Sequence, residues 1–162
     1  MTPFYLQIDL KKELEMLFKD FKLKSPCGED LGIKVFEQNL PINNDDEYDP
    51  YPYIIVRITE GEIKDLYSNN SVQLMLIIGT YDDSNKADGH KDVLNIIQKI
   101  FERFRKNPNL SNKYVIQDSF KFALSEEDTW PYYFGGIEIG FDIHTIERED
   151  KFSWVQKRML QL

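Results

Sequence analysis

The densest group of side chains able to bind a cation or move a proton is Asp82, Asp83, Asp88, His90 and Asp92, all within eleven positions. An EF-hand loop started at Asp83 places Ala87 fifth and Asp88 sixth, where glycine must make the sharp turn, so the spacing fails. A zinc site needs more His or Cys than this stretch offers. The positions read better as a helix start, with Asp88 as the cap and Asp92 complementing the dipole of a helix that begins near His90. His144 stands beside Asp142 with no nucleophile nearby in the sequence, and reads as a solvated or interface histidine. Paired carboxylates can cleave glycosides, yet Glu126, Glu127 and Asp128 run in succession before Thr129-Trp130-Pro131 and read as a solvent-facing turn. Cys27 has no basic neighbour closer than Lys24, which gives little support for a reactive thiol. No phosphate loop with Lys-Ser/Thr and no G-x-S-x-G elbow occurs, and Gly135-Gly136-Ile137-Glu138-Ile139-Gly140 lies inside an alternating strand. The expectation is a protein that is not an enzyme and that holds neither cofactor nor metal.

The elements that position these groups fit one domain of 162 residues. Twenty basic against 28 acidic side chains give a net charge of −8. Nucleic-acid affinity comes mainly from Lys and Arg on phosphates, so this balance argues against a general DNA or RNA binder. The longest apolar stretch, Leu74 to Gly79, is far short of the ~20 residues that span a bilayer. The N-terminus lacks signal-peptide features, and a lone Cys27 fits a reducing cytoplasm.

Leu10, Leu14, Leu17, Phe18 and Phe21 share one helical face, which predicts a first helix from Asp9 to Phe21 with Asp9 as N-cap, ended by Ser25-Pro26-Cys27-Gly28. A short strand follows at Ile33 to Phe36, and Pro41 to Pro52 forms a loop. Tyr53 to Ile58 reads as a strand. In Ser71 to Thr80 neither face is polar, the habit of a central strand. A second helix from His90 to Lys106 buries Val93, Ile96, Ile97, Ile100, Phe101 and Phe104, and Asn107-Pro108 stops it.

Two alternating strands close the domain. In the first, Tyr114, Ile116, Phe120 and Phe122 share a face that Asp118 interrupts. In the second, Ile137, Ile139, Phe141 and Ile143 oppose Glu138, Gly140, Asp142 and His144. Strict alternation implies one covered and one wet face. The fold class is therefore α+β: a small antiparallel or mixed sheet of about four strands with two helices on one face. Residues 1–150 form the domain, and 151–162 form a basic, apolar extension without an acid, suited to docking either on its own domain or on a neighbour's surface. Phe152, Trp154, Val155, Arg158, Met159 and Leu160 in that extension, with Glu138, Asp142 and His144 on the wet face, are the candidate subunit or partner contacts.

Four segments resemble tail-terminator and tail-completion proteins of phages and prophages, including collar proteins of phage-tail-like bacteriocins. They are Asp49 to Ile58, Val72 to Asp82, Asp92 to Phe101 and Tyr133 to Asp142, within a likeness spanning Tyr48 to Glu147. The resemblance implies a ring, usually a hexamer, that caps the tail tube and ends its growth. It further implies contacts with tube protein, with sheath protein where the tail contracts, and with a head connector in a phage. DNA would only pass through the lumen, and assembly would occur in the bacterial cytoplasm before the protein joins the particle. Asp45, Asp46, Glu47, Glu126, Glu127 and Asp128 are the acids that would line such a lumen. The alternatives are a head-closure or head–tail joining protein, and a small acidic immunity-type module that neutralises a basic partner.

Overall fold

The computed structural model describes residues 2–43 and 49–144. Helix α1 spans Pro3–Leu17, six residues upstream of the expected start. Thr2 caps it, its Oγ1 accepting from the Tyr5 N–H at 3.4 Å, and Pro3 occupies a first turn where its missing N–H has no partner to lose. The apolar stripe begins at Leu6 and continues through Leu10 and Leu14 to Phe18, all buried. Asp9 is thus an internal helix residue, its Oδ2 4.0 Å from Lys113 Nζ.

The Ser25–Gly28 stretch does not simply end this helix. It turns a two-stranded hairpin, β1 (Lys22–Lys24) against β2 (Asp30–Gly32), closed by the Ser25 hydroxyl donating to the Glu29 carbonyl at 2.6 Å. Five further elements follow: β3 (Lys34–Glu37), β4 (Tyr53–Glu62), β5 (Asn70–Tyr81), α2 (His90–Lys106) and β6 (Asn109–Leu110). The last two strands are β7 (Tyr114–Leu124) and β8 (Tyr132–Ile143). The main sheet runs β3-β4-β5-β8-β7-β6, with β3 parallel to β4 and every other pair antiparallel. It has six strands where about four were expected, because β3 joins at one edge and β6 at the other. The class is α+β.

Both helices cover one face. Under them lie Ile54 and Val56 of β4, Val72, Leu74, Leu76 and Ile78 of β5, and Ile137, Ile139, Phe141 and Ile143 of β8. Val93, Ile96, Ile97, Ile100 and Phe104 of α2 close over them. Each such side chain contributes about 1.5–3 kcal/mol by leaving water. Phe101 was expected among them but is half-buried, since it overhangs the sheet margin and meets Phe120 edge-on at 5.3 Å. An ion pair between Glu13 and Arg103 ties α1 to α2.

Helix α2 has the predicted limits, yet Asp88 is not its cap. Gly89 holds the N-cap position without any side-chain bond, and the Asp88 carboxylate turns to Lys91 Nζ at 3.3 Å. Among the described residues no helix is long and apolar enough to cross a membrane.

Candidate functional site: the uncovered sheet face and the β7 edge

The face away from the helices is assembled from alternate residues of the four long strands, and it divides into three zones. At one end stand aromatic rings. Tyr51 packs on Tyr53 at 5.0 Å, on Tyr132 at 4.7 Å and on Phe134 at 6.1 Å, and Tyr81 joins Tyr132 at 5.5 Å. Gly79 makes the platform possible: a Cβ there would meet Tyr53 Cζ at 2.5 Å. Burial pushes the Tyr51 and Tyr53 hydroxyls above their ordinary pKa, so both stay protonated.

In the middle lies a concavity of about 520 Å³ lined by Met75, Ile77, Ala123, Phe134 and Gly136, with Lys121 and Glu138 on its rim. The third zone is polar. Gln73 Nε2 donates to Gln117 Oε1 at 2.9 Å, and Gln117 Nε2 donates to Asp142 Oδ1 at 2.8 Å. Gly140 leaves room for these amides, which a Cβ would strike. Opposite Gly140, β7 bulges between Ile116 and Phe120. The bulge resolves the interruption at Asp118, which is exposed there while Phe120 and Phe122 return to the face of Tyr114.

The expected wet face is therefore wet only in part. Glu138 is exposed and Asp142 is half-buried in the amide chain, but Phe134, Gly136, Met75 and Ile77 give the same face an apolar floor. The signal for it was the absence of a polar side in Ser71–Thr80, which fits two apolar faces as well as a central place in the sheet. The tyrosine platform went unread because Tyr51 and Tyr132 lie about eighty residues apart in the chain.

The predicted residues scatter around this face. His144 is exposed just past β8. Glu126, Glu127 and Asp128 are exposed in the β7–β8 connection, where Ser125 Oγ accepts from the Glu127 N–H at 3.3 Å. A shallow concavity of about 270 Å³ brings His90 to Glu127 and Asp128. Asp45, Asp46 and Glu47, and Phe152, Trp154, Val155, Arg158, Met159 and Leu160, lie outside the described residues. The Asp82 group is not gathered around a point. Asp82 Oδ1 accepts from Lys24 Nζ at 3.4 Å and from the Ser84 N–H at 3.0 Å. Burial would raise its pKa, but these partners outweigh it and hold the carboxyl low. Asp92 is shifted up, first by burial and then by the charges of Asp82 and Asp88. Among the described residues no three metal-ligating groups converge.

Beside this face, most of the β7 margin has no paired strand among the described residues. Strand β6 pairs only with Tyr114 and Val115, and the Ile116 N–H reaches the Pro108 carbonyl at 3.0 Å. Beyond that point no described residue pairs with it. The Ser125 N–H donates to the Phe134 carbonyl, which sets the phase of the ladder. Lys121 and Ala123 consequently turn their polar groups toward β8, while Phe120, Phe122 and Leu124 turn theirs outward. No described residue bonds to those outward groups. Phe122 is 58% exposed. No family model and no curated protein matches the chain.

Proposed function

We propose that this chain is a structural assembly protein that forms a ring on the end of a phage-type tail tube. In that role it stops tube growth and joins the tail to a head or closes a headless tail. The observation that carries the reading is the uncovered sheet face, where an apolar floor runs between a tyrosine platform and a charged rim. Aromatic and Met side chains inside a polar margin are the composition that interface centres favour. A head-to-tail contact on such a face closes into a ring when the rotation per subunit closes. Six subunits is the number the family resemblance implies. Tube protein, sheath protein in a contractile tail, and a head connector are the proposed partners. The exposed acids Glu126, Glu127 and Asp128 suit a lumen that DNA crosses, because like charge keeps DNA from adhering.

Negative-stain microscopy with light scattering tests this. Rings from the purified chain, and the same chain found at the end of assembled tails, are the expected results. A stable monomer at high concentration would sink the ring and favour the acidic module that neutralises a basic partner, the reading that the charge of −8 supports.

A further inference from the structure

We infer that the free edge of β7 is the docking site for the C-terminal segment, residues 151–162, of a second copy of this chain, added as a further strand. This rests on the self-association half of the function proposed above and names the contact that would carry it. An open strand edge with β-favouring residues is a template for another chain. Phe120 and Phe122 are the β-favouring residues of this edge, and the N–H and C=O groups at 120, 122 and 124 point away from β8. Phe122 also borders concavities on both sides of the sheet, one with Met75 and Ala123 and one with Leu94, Ile97 and Phe101. An arriving strand would thus find apolar surface above and below the edge.

The occupant is chosen by charge and by reach. Residues 151–162 carry Lys151, Lys157 and Arg158 without an acid, and the edge ends at exposed Glu126, Glu127 and Asp128. Read at period two, Phe152, Trp154, Leu160 and Leu162 fall on one side with Gln156 and Arg158 between them, and Val155 and Met159 fall on the other with Lys151, Ser153, Lys157 and Gln161. The chain's own segment meets an obstacle on the way to this edge. β8 ends at Ile143, opposite Tyr114, where β6 already pairs with β7, so the chain would have to pass around β6 before running along its own β7. A segment arriving from a neighbour has no such constraint, and the contact it makes is head-to-tail.

The test uses the full chain with Trp154→p-benzoylphenylalanine, an equimolar mixture of ¹⁴N and ¹⁵N protein, photolysis and peptide mapping. The expected products are mixed-isotope cross-links joining position 154 to residues 119–125, reduced about tenfold by Phe122→Pro. That substitution removes one outward N–H and none that serves β8. Cross-links confined to one isotope, or mixed cross-links landing on Met75 or Ile77 or joining two 154 positions, would overturn the inference. So would Phe122→Pro without effect while light scattering shows the protein still associated. Rings with cross-links elsewhere sink this contact and leave the ring standing. The expected cross-links in a species that never exceeds a dimer keep the contact and sink the ring, and a monomer at every concentration sinks both.

Discussion

The two margins of the six-stranded sheet are treated in opposite ways. At the β4 margin, β3 pairs for only four residues, and where it stops Gln38 takes over. Its backbone adopts φ 65°, its N–H reaches the Val56 carbonyl at 2.8 Å, its side-chain oxygen accepts from the Ile58 N–H, and its amide donates to the Ile58 carbonyl. Gln7 of α1, 6% exposed, adds a second amide that donates to the Val56 carbonyl at 2.8 Å and to Gln38 Oε1 at 3.0 Å. Arg57 braces this turn through Nε on the Gln38 carbonyl at 3.0 Å. At the β7 margin β6 supplies two residues, and the outward groups of Phe120, Phe122 and Leu124 meet nothing else in the described chain. An edge sealed by side chains belongs to the monomer, whereas an edge left open beside apolar surface is available to a partner.

The contrast breaks most visibly at Gln7. Gln7→Ala removes a buried amide, opens a cavity under α1 and leaves the Val56 carbonyl short of a partner. We expect a loss of about 2–4 kcal/mol in urea unfolding. Gln38→Ala comes next at about 1–2 kcal/mol, since its site is wetter and water can replace part of what is lost. Because the two amides bond to each other, the double variant should lose less than the sum, with a coupling of about 0.5 kcal/mol or more. Strict additivity would mean that the two glutamines seal the edge independently.

Little of this seal could be read in advance. Helix α2 was legible at both ends because its apolar stripe is long, its first turn carries Asp92, and Asn107-Pro108 cannot continue it. β8 was legible because Ile137, Ile139, Phe141 and Ile143 alternate without a break. α1 was displaced because Leu10 to Phe21 also satisfies a helical period, and Gln7 at the head of the true stripe looks polar until its partner Val56 is known. Gln38 carries no signal at all, since its role depends on a left-handed backbone and on carbonyls eighteen and twenty residues away. The apolar floor of the open face was half-legible. Phe134 and Gly136 share the parity of Glu138 and Asp142, so the acids characterise only part of that face.

Salt sharpens the comparison from the other side. The β4 seal is made chiefly of neutral amides, so raising ionic strength from about 0.05 to 0.5 M should leave the urea midpoint of the monomer nearly unchanged. The proposed partner contact joins Lys151, Lys157 and Arg158 to Glu126, Glu127 and Asp128, and the screening length for exposed pairs of this kind falls from about 14 Å to about 4 Å over that range. Association measured by light scattering should weaken several-fold. An association that strengthens with salt would assign the contact to apolar surface alone.

The smallest effect on stability should come from Phe122→Thr. The ring is 58% exposed and its N–H and C=O point away from β8, so the monomer loses little burial and no ladder bond. Threonine is β-branched and, like phenylalanine, favours a strand. Surface changes of this type stay within about 0.5 kcal/mol, and the urea midpoint should stay where it was. If the edge served only the fold, nothing else would change. If it serves a partner, the same variant should associate at least tenfold more weakly by light scattering, because the apolar edge that borders two concavities is gone. A drop in stability with association intact would show that Phe122 works for the monomer, and that the two margins differ in how they are sealed and not in what they are for.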